Sequence, residues 1–348
     1  MEENLKDFEA RKNIFEDSRI FMKRHKLEKV CVFVDLNYEI KNLCAAYALI
    51  SFYRYLGFDA ELILSKANRV KSLPADMKPK RFATGKFLAV TVGCKGLENI
   101  DTVNYNDTYV IFSIYGPIKS KGFAVLNFLE EDVSCTGEVV FHQIVDYINR
   151  FDNSKTIPQD TVQYLYTSLV AGTKRYGSNI KPSTFAMAKE LLDHGANYKQ
   201  ANYYCEKKDP LTLSIQAAIF ANLTRRAEKK VCYAIIKEED LQDHIEIEDI
   251  QSALDLFKNT EKIDVWIVFF QRVVGYYDVV LQGKEINNYS MRKIAIKNNG
   301  TGDKTTGNCL IRQNDFEKFM NDLNDIMTKN VSTTEDEDDD ESLEESEN

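Results

Sequence analysis

Histidine and cysteine are the side chains through which a chain of this size would ligate a transition metal, move protons or attack a substrate, and both are spread thinly here. The four histidines, His25, His142, His194 and His244, form no HxxxH or HExxH spacing and no pairing with a cysteine. His142 and His194 fall on helix-like stretches and His25 in a basic cluster, so surface or capping roles are expected. The seven cysteines, Cys31, Cys44, Cys94, Cys135, Cys205, Cys232 and Cys309, stand singly, mostly inside apolar runs, with no CxxC pair. They read as small buried apolar side chains rather than thiol nucleophiles, a usage that fits a reducing cytoplasm. Phosphate binding through a glycine cradle lacks support as well. No GxxxxGK[ST] or GxGxxG run follows a strand-like stretch, and Gly300-Thr301-Gly302 is too short to supply one.

The elements that would position any site follow from the apolar pattern. Residues 3–26 carry helical spacing (Leu5, Phe8, Ile14, Phe15, Ile20, Phe21) and end in Lys23, Arg24, His25 and Lys26. Short β-branched and aromatic runs recur at Val30–Val34, Ala60–Leu64, Phe87–Val92 and Tyr109–Ile114, the first two separated by a helix-like stretch from Asn42 to Leu56. That rhythm predicts a parallel sheet built from βαβ units. The segment 66–81 holds two prolines and six basic residues and reads as a surface loop, without interleaved aromatic residues on which bases could stack. From Thr136 the pattern becomes helical: 139–148, 159–170, 182–192, 198–204 and 211–225. Strands are predicted at 231–236, 265–271 and 277–281, with helices at 247–257, 291–297 and 315–327. The expected organisation is an α/β chain: an N-terminal helix (1–27), a parallel-sheet domain with a helical lobe (28–210), a connecting helix (211–227), a smaller α/β domain (228–330) and a tail (331–348).

The net charge of −9 is concentrated in that tail. Residues 335–348 carry ten acidic groups and no basic one, which leaves 45 basic against 44 acidic residues in the rest of the chain. Such a run repels itself and buries nothing, so disorder is expected, with solubility as its simplest role and docking to a basic partner as the sharper one. No run of eighteen apolar residues occurs and the N-terminus alternates charged with apolar residues, so neither a membrane span nor a signal peptide is expected.

The wording and order of these segments resemble the DHH/DHHA1 phosphoesterases from about residue 28 to about 328. The strongest stretch is 160–205, with Ala171-Gly172-Thr173-Lys174, Tyr176, Ser183-Thr184 and Glu190-Leu191-Leu192 followed by Gly195-Ala196. Support comes from Leu56-Gly57-Phe58-Asp59-Ala60-Glu61-Leu62, and from Ser134-Cys135-Thr136-Gly137-Glu138, which is similar to that family's SST-x-E. Enrichment in Lys, Asn and Ile makes the chain look like the mycoplasma branch of the family.

The resemblance implies a site of two divalent ions held by carboxylates and imidazoles from four loops. Each loop departs from the pattern. Where the family reads H-x-N-P-D-x-D, this chain has Asp35, Leu36, Asn37, Tyr38, Glu39, Ile40 and Lys41. The second motif's aspartate falls on Gly93, the Asp-His-His signature on Ile114, Tyr115 and Gly116, and the fourth motif's aspartate on Gly172. Only Asp35 and Glu39 remain as ligand types, and beside Lys41 they make a poor divalent site; Lys41 is expected to neutralise them in the cation's stead. In the second domain the family's phosphate grip, an Arg-Ser pair and a GGGH loop, is replaced by Gln282-Gly283 and by Asn299-Gly300-Thr301-Gly302-Asp303, with either Gly302 or Asp303 at the histidine position.

The expectation is therefore a catalytically inactive homologue, with no metal and no cofactor, acting as a structural or protein-binding subunit of a cytoplasmic assembly such as a motor or cytoskeletal complex. A homo-oligomer is an open possibility. Tyr203, Tyr204, Tyr276 and Tyr277 are candidate apolar anchors, or else internal packing. The alternatives are a non-hydrolysing nucleotide or short-RNA binding module and, last, a residual phosphodiesterase using Asp35 and Glu39.

Overall fold

The computed structural model describes residues 12–35, 39–64, 79–100, 111–118, 122–206, 210–226, 230–241, 245–257, 260–284 and 289–329. Its first helix, α1 (Ile14–His25), starts where Asn13 accepts hydrogen bonds from the amides of Phe15 and Glu16 at 3.1 and 3.4 Å. Acidic Glu16 and Asp17 in the first turn and Lys23, Arg24 and His25 in the last suit the helix dipole, and the chain leaves through Lys26 at φ 54°. Residues 3–11 of the expected helix lie outside the described residues.

The next segments form a five-stranded sheet, parallel throughout, in the order β2-β1-β3-β4-β5: β1 (Lys29–Val34), β2 (Ala60–Ile63), β3 (Phe87–Val92), β4 (Ile111–Tyr115) and β5 (Leu126–Leu129). A parallel sheet covered on both faces needs strands without polar alternation, and KVCVFV and FLAVTV are buried at every residue. Helix α2 (Ile40–Tyr55) crosses from β1 to β2 and is apolar nearly all round, because sheet and helices enclose it. The helices around it are α3 (Thr136–Arg150), α4 (Gln159–Gly172), α5 (Pro182–Asp193) and α6 (Tyr198–Glu206). They form the expected helical lobe, sharing with α2 and the sheet a core that includes Tyr47, Phe52, Leu165 and Leu191.

The compact units divide between Lys207 and Lys208. In the second, a mixed six-stranded sheet runs β10-β11-β9-β8-β7-β6. Its strands are β6 (Leu223–Arg226), β7 (Val231–Lys237), β8 (Val265–Gln271), β9 (Tyr276–Gly283), β10 (Thr301–Gly302) and β11 (Thr306–Arg312). Helices α7 (Pro210–Ala221) and α8 (Ile247–Leu254) cover one face through Ile215, Ile219, Ile250 and Leu254. Helices α9 (Met291–Lys297) and α10 (Phe316–Lys329) cover the other through Met291, Ile294, Phe319 and Leu323.

The connecting helix expected at 211–227 is corrected. Ile215 and Ile219, four residues apart, face the second core, so α7 belongs to that unit, and residues 223–226 pair antiparallel with β7 as an edge strand. Strands β5, β6, β10 and β11 are additions to the predicted set. Of the basic loop 66–81, residues 66–78 lie outside the described residues; Lys80, near its end, bridges to Ile63 of β2 and pairs with the buried Glu61 of that strand at 2.5 Å. The acidic tail lies outside them too. No helix among the described residues is long and apolar enough to cross a membrane.

Candidate functional site

In an open α/β sheet the natural ligand position is the carboxyl edge of the strands where their order reverses, here between β1 and β3. Asp35 follows β1, is 8% exposed, and donates its amide to the Val92 carbonyl at 3.4 Å. Gly93 follows β3 at φ +74° and donates to the Ile114 carbonyl at 3.1 Å. Tyr115 ends β4. Thus residues far apart in sequence, aligned on the resemblance alone, gather on one edge. Ile114 is the exception in side-chain terms, since it is buried in the core below.

Glu39 is the N-cap residue of α2 but makes no side-chain capping bond; its carboxylate meets Lys41 Nζ at 2.6 Å, with both side chains well exposed. The expected neutralisation by Lys41 is therefore seen for Glu39, on the surface, where such a pair contributes below about 1 kcal/mol. Burial lifts the Tyr115 hydroxyl above its ordinary pKa; Lys41 pulls it back, and Asp35, Glu39 and Cys94 push it further up. Burial, and then Asp35 and Glu98, likewise push the Cys94 thiol up, which makes it a poor nucleophile.

The glycines of this edge are tightly occupied. A β-carbon on Gly93 would lie 2.4 Å from the side chain of Asn42, which is 4% exposed and whose Oδ1 has no hydrogen-bond partner among the described residues. One on Gly172 would lie 2.4 Å from Cys135 Cβ, and one on Gly116 within 2.8 Å of Val133, Val139 and the Glu130 carbonyl. Helix α4 is held against α2 here by Ser168, whose hydroxyl donates to the Lys41 carbonyl at 2.6 Å. Among the described residues no three His, Cys, Asp or Glu side chains come together as a metal-binding group. The donor set thus does not fit the two-ion centre that the resemblance implies.

In the second unit, Gln282 is 5% exposed and engaged on both sides: Nε2 donates to the Gly283 and Thr305 carbonyls at 3.1 and 3.4 Å, and Oε1 accepts from Gln251 at 3.1 Å. The Gly300–Asp303 stretch is a tight ribbon with β11. A β-carbon on Gly300 would sit 2.0 Å from the Asn308 carbonyl oxygen, and one on Gly302 2.3 Å from that of Thr306. The Asp303 carboxylate turns inward and accepts the amides of Thr305 and Thr306, each at 2.7 Å. Although burial opposes it, those amides hold Asp303 below the usual carboxylate range. Sequence reading passed over the cations beside this loop: the Arg292 amide donates to the Asp303 carbonyl at 2.8 Å, and that of Met291 to the Lys304 carbonyl at 3.0 Å. Their signal was the basic density of 284–304.

The histidines take structural places. His142 Nδ1 lies 2.7 Å from Glu130, His194 Nδ1 lies 2.8 Å from the Glu190 carbonyl at the end of α5, and His25 stacks on Phe21. His244 lies outside the described residues. Among the described residues no cysteine forms a disulfide, and all are buried except for the half-buried Cys205. Of the four tyrosines, Tyr203 is exposed and Tyr204 half-buried against it. Tyr276 lines an open groove of about 500 Å³ with Ile247, Arg272, Val273 and Leu310, and Tyr277 packs inward on Phe269.

No family model matches the chain, and no curated protein does. Solved structures do. An exopolyphosphatase-related protein from Bacteroides fragilis aligns over 94% of this chain and 98% of its own, at 12% identity and a TM-score of 0.66. A pGpG-specific phosphodiesterase, PggH, from Vibrio cholerae aligns over 87% and 100% at 12% identity and a TM-score of 0.43. RecJ in complex with Mn2+ from Thermus thermophilus aligns over 90% and 55% at 10% identity and a TM-score of 0.48. The first of these carries the assignment, and at such identity the likeness is one of architecture. The chain has a DHH/DHHA1 phosphoesterase-like fold.

Proposed function

We propose that this chain is a non-catalytic relative of the DHH/DHHA1 phosphoesterases that serves as a structural or protein-binding subunit of a cytoplasmic assembly. One observation carries the reading. Where the resemblance calls for ligand carboxylates, at Gly93 and Gly172, the space that such side chains would need is filled by Asn42 and Cys135 at 2.4 Å. A site that had merely lost its ligands would leave room, and at these two positions neighbouring side chains take it. Large apolar side chains left exposed at Tyr203, Val273, Tyr276 and Leu310 are consistent with a surface used for partners.

The test is hydrolysis. Purified protein supplied with manganese or magnesium should leave short oligoribonucleotides and cyclic dinucleotides intact. Metal-dependent turnover that disappears in Asp35→Ala or Glu39→Ala would overturn the proposal in favour of a residual phosphodiesterase.

A further inference from the structure

On the face of the second sheet that α7 and α8 cover, the covering stops short of the outer strands. Register puts Asp278 of β9 opposite Phe270 of β8 and opposite Leu310 of β11. Phe270 is buried in the core beneath the helices, whereas Leu310 is 58% exposed. The uncovered strip forms the open groove of about 500 Å³ lined by Ile247, at the start of α8, and by Val273, Tyr276 and Leu310. The hairpin from β8 to β9 carries Val273 and Val274, 60% and 86% exposed, just before Gly275 at φ +92°. Turns favour Gly, Pro, Asn, Asp and Ser, so two adjacent β-branched side chains left in water bury little on folding and are what a partner would cover.

The rim on the α8 side is acidic. Glu246 and Glu248 line the groove, and β7, parallel to β8 with Lys237 opposite Gln271, ends at the same edge in Glu238, Glu239 and Asp240. The nearby cations are engaged or stand on the far wall. Lys237 binds Glu239 at 3.1 Å, and Arg272 is held by the Ile245 carbonyl at 2.8 Å and by Asp278 at 3.6 Å. Arg312 lies opposite Tyr276 on the outer strand. With 45 basic against 44 acidic residues outside 335–348, this concentration of carboxylates is local to the groove's end of the sheet. Carboxylates beside an apolar wall draw a cation and repel a polyanion, which disfavours nucleic acid or an anionic membrane as the occupant.

We propose that this groove docks a basic peptide segment of a partner protein: a large apolar side chain seats against Val273, Tyr276 and Leu310, and flanking lysines or arginines face Glu248 and its acidic neighbours. The inference rests on the reading of the chain as a protein-binding subunit and adds the partner's chemistry. Fluorescence anisotropy of the full chain with the labelled peptide KKLFLKK tests it, against the controls KKSSSKK and EELFLEE. Micromolar binding is expected for the first, at least about ten-fold tighter than for either control. Leu310→Ser, at an exposed position, should weaken it about five-fold or more with the circular dichroism spectrum unchanged, and Glu248→Lys should weaken KKLFLKK while strengthening EELFLEE. Equal affinity for KKSSSKK, or an affinity that neither substitution changes, would place the peptide elsewhere on the chain and overturn the proposal, as would no binding at all. A dimer in sedimentation that Leu310→Ser dissociates would make a second copy the occupant and overturn it too. Nucleotide hydrolysis would defeat the non-catalytic reading without moving these affinities; an inert chain that ignores the peptide would defeat the docking site alone.

Discussion

The two places where the resemblance calls for ligands are both closed, by different materials. At the carboxyl edge of the first sheet, side chains fill the space: Asn42 lies against Gly93 and Cys135 against Gly172. In the second unit the backbone does it, with the Asn308 and Thr306 carbonyls over Gly300 and Gly302. A side chain can be shortened or can turn away, whereas a ribbon carbonyl fixed by its own ladder cannot move without unpairing the strands. The first edge is therefore closed by side chains that substitution could remove one by one, and the second is closed by the fold itself.

The largest effect is expected at Gly300→Ala. Its β-carbon would meet a carbonyl oxygen at 2.0 Å, so β10 must separate from β11, at a cost of about 3 kcal/mol. Thermal or urea unfolding measures it, and no single side-chain truncation nearby should restore stability. Gly93→Ala should cost about 2 kcal/mol, partly from the contact with Asn42 and partly from its φ of +74°. Here a rescue is expected: in the Asn42→Ala background the Gly93→Ala penalty should shrink to the backbone component of about 1 kcal/mol. Additive penalties in that double-mutant cycle would erase the distinction between the two sites.

The smallest effect concerns acid. Asp303 is held below its ordinary pKa of 3.8 by the amides it accepts. A carboxylate with a depressed folded-state pKa contributes stability that is present above its unfolded value and is lost as pH falls through the folded one. Acid should therefore loosen the β10–β11 ribbon below about pH 4, seen as faster amide exchange at Thr305 and Thr306. Asp303→Asn should remove that dependence. Equal acid sensitivity in the wild type and Asp303→Asn would mean that the carboxylate does not hold the turn.

The sequence by itself determined the elements whose apolar pattern is local and continuous. The runs at 30–34 and 87–92, the helix between 42 and 56 and the amphipathic stretches of the helical lobe all stand where periodicity placed them. The convergence of Asp35, Gly93 and Tyr115 on one edge was legible only through the resemblance, because no short-range spacing links residues so far apart. Strands β6 and β10 are among those that escaped, since Leu-Thr-Arg-Arg and Thr-Gly have neither alternation nor an apolar run; what makes them strands is a neighbour supplied by the rest of the sheet. The helix expected to link the domains failed for a related reason, because helical spacing says which residues share a face but not which core that face meets. The closing of the two sites was likewise a tertiary decision. A glycine in a sequence reads as an absent side chain, and only the packed structure places Asn42, Cys135 and two ribbon carbonyls in the volume that the absence leaves, because close packing admits no void there.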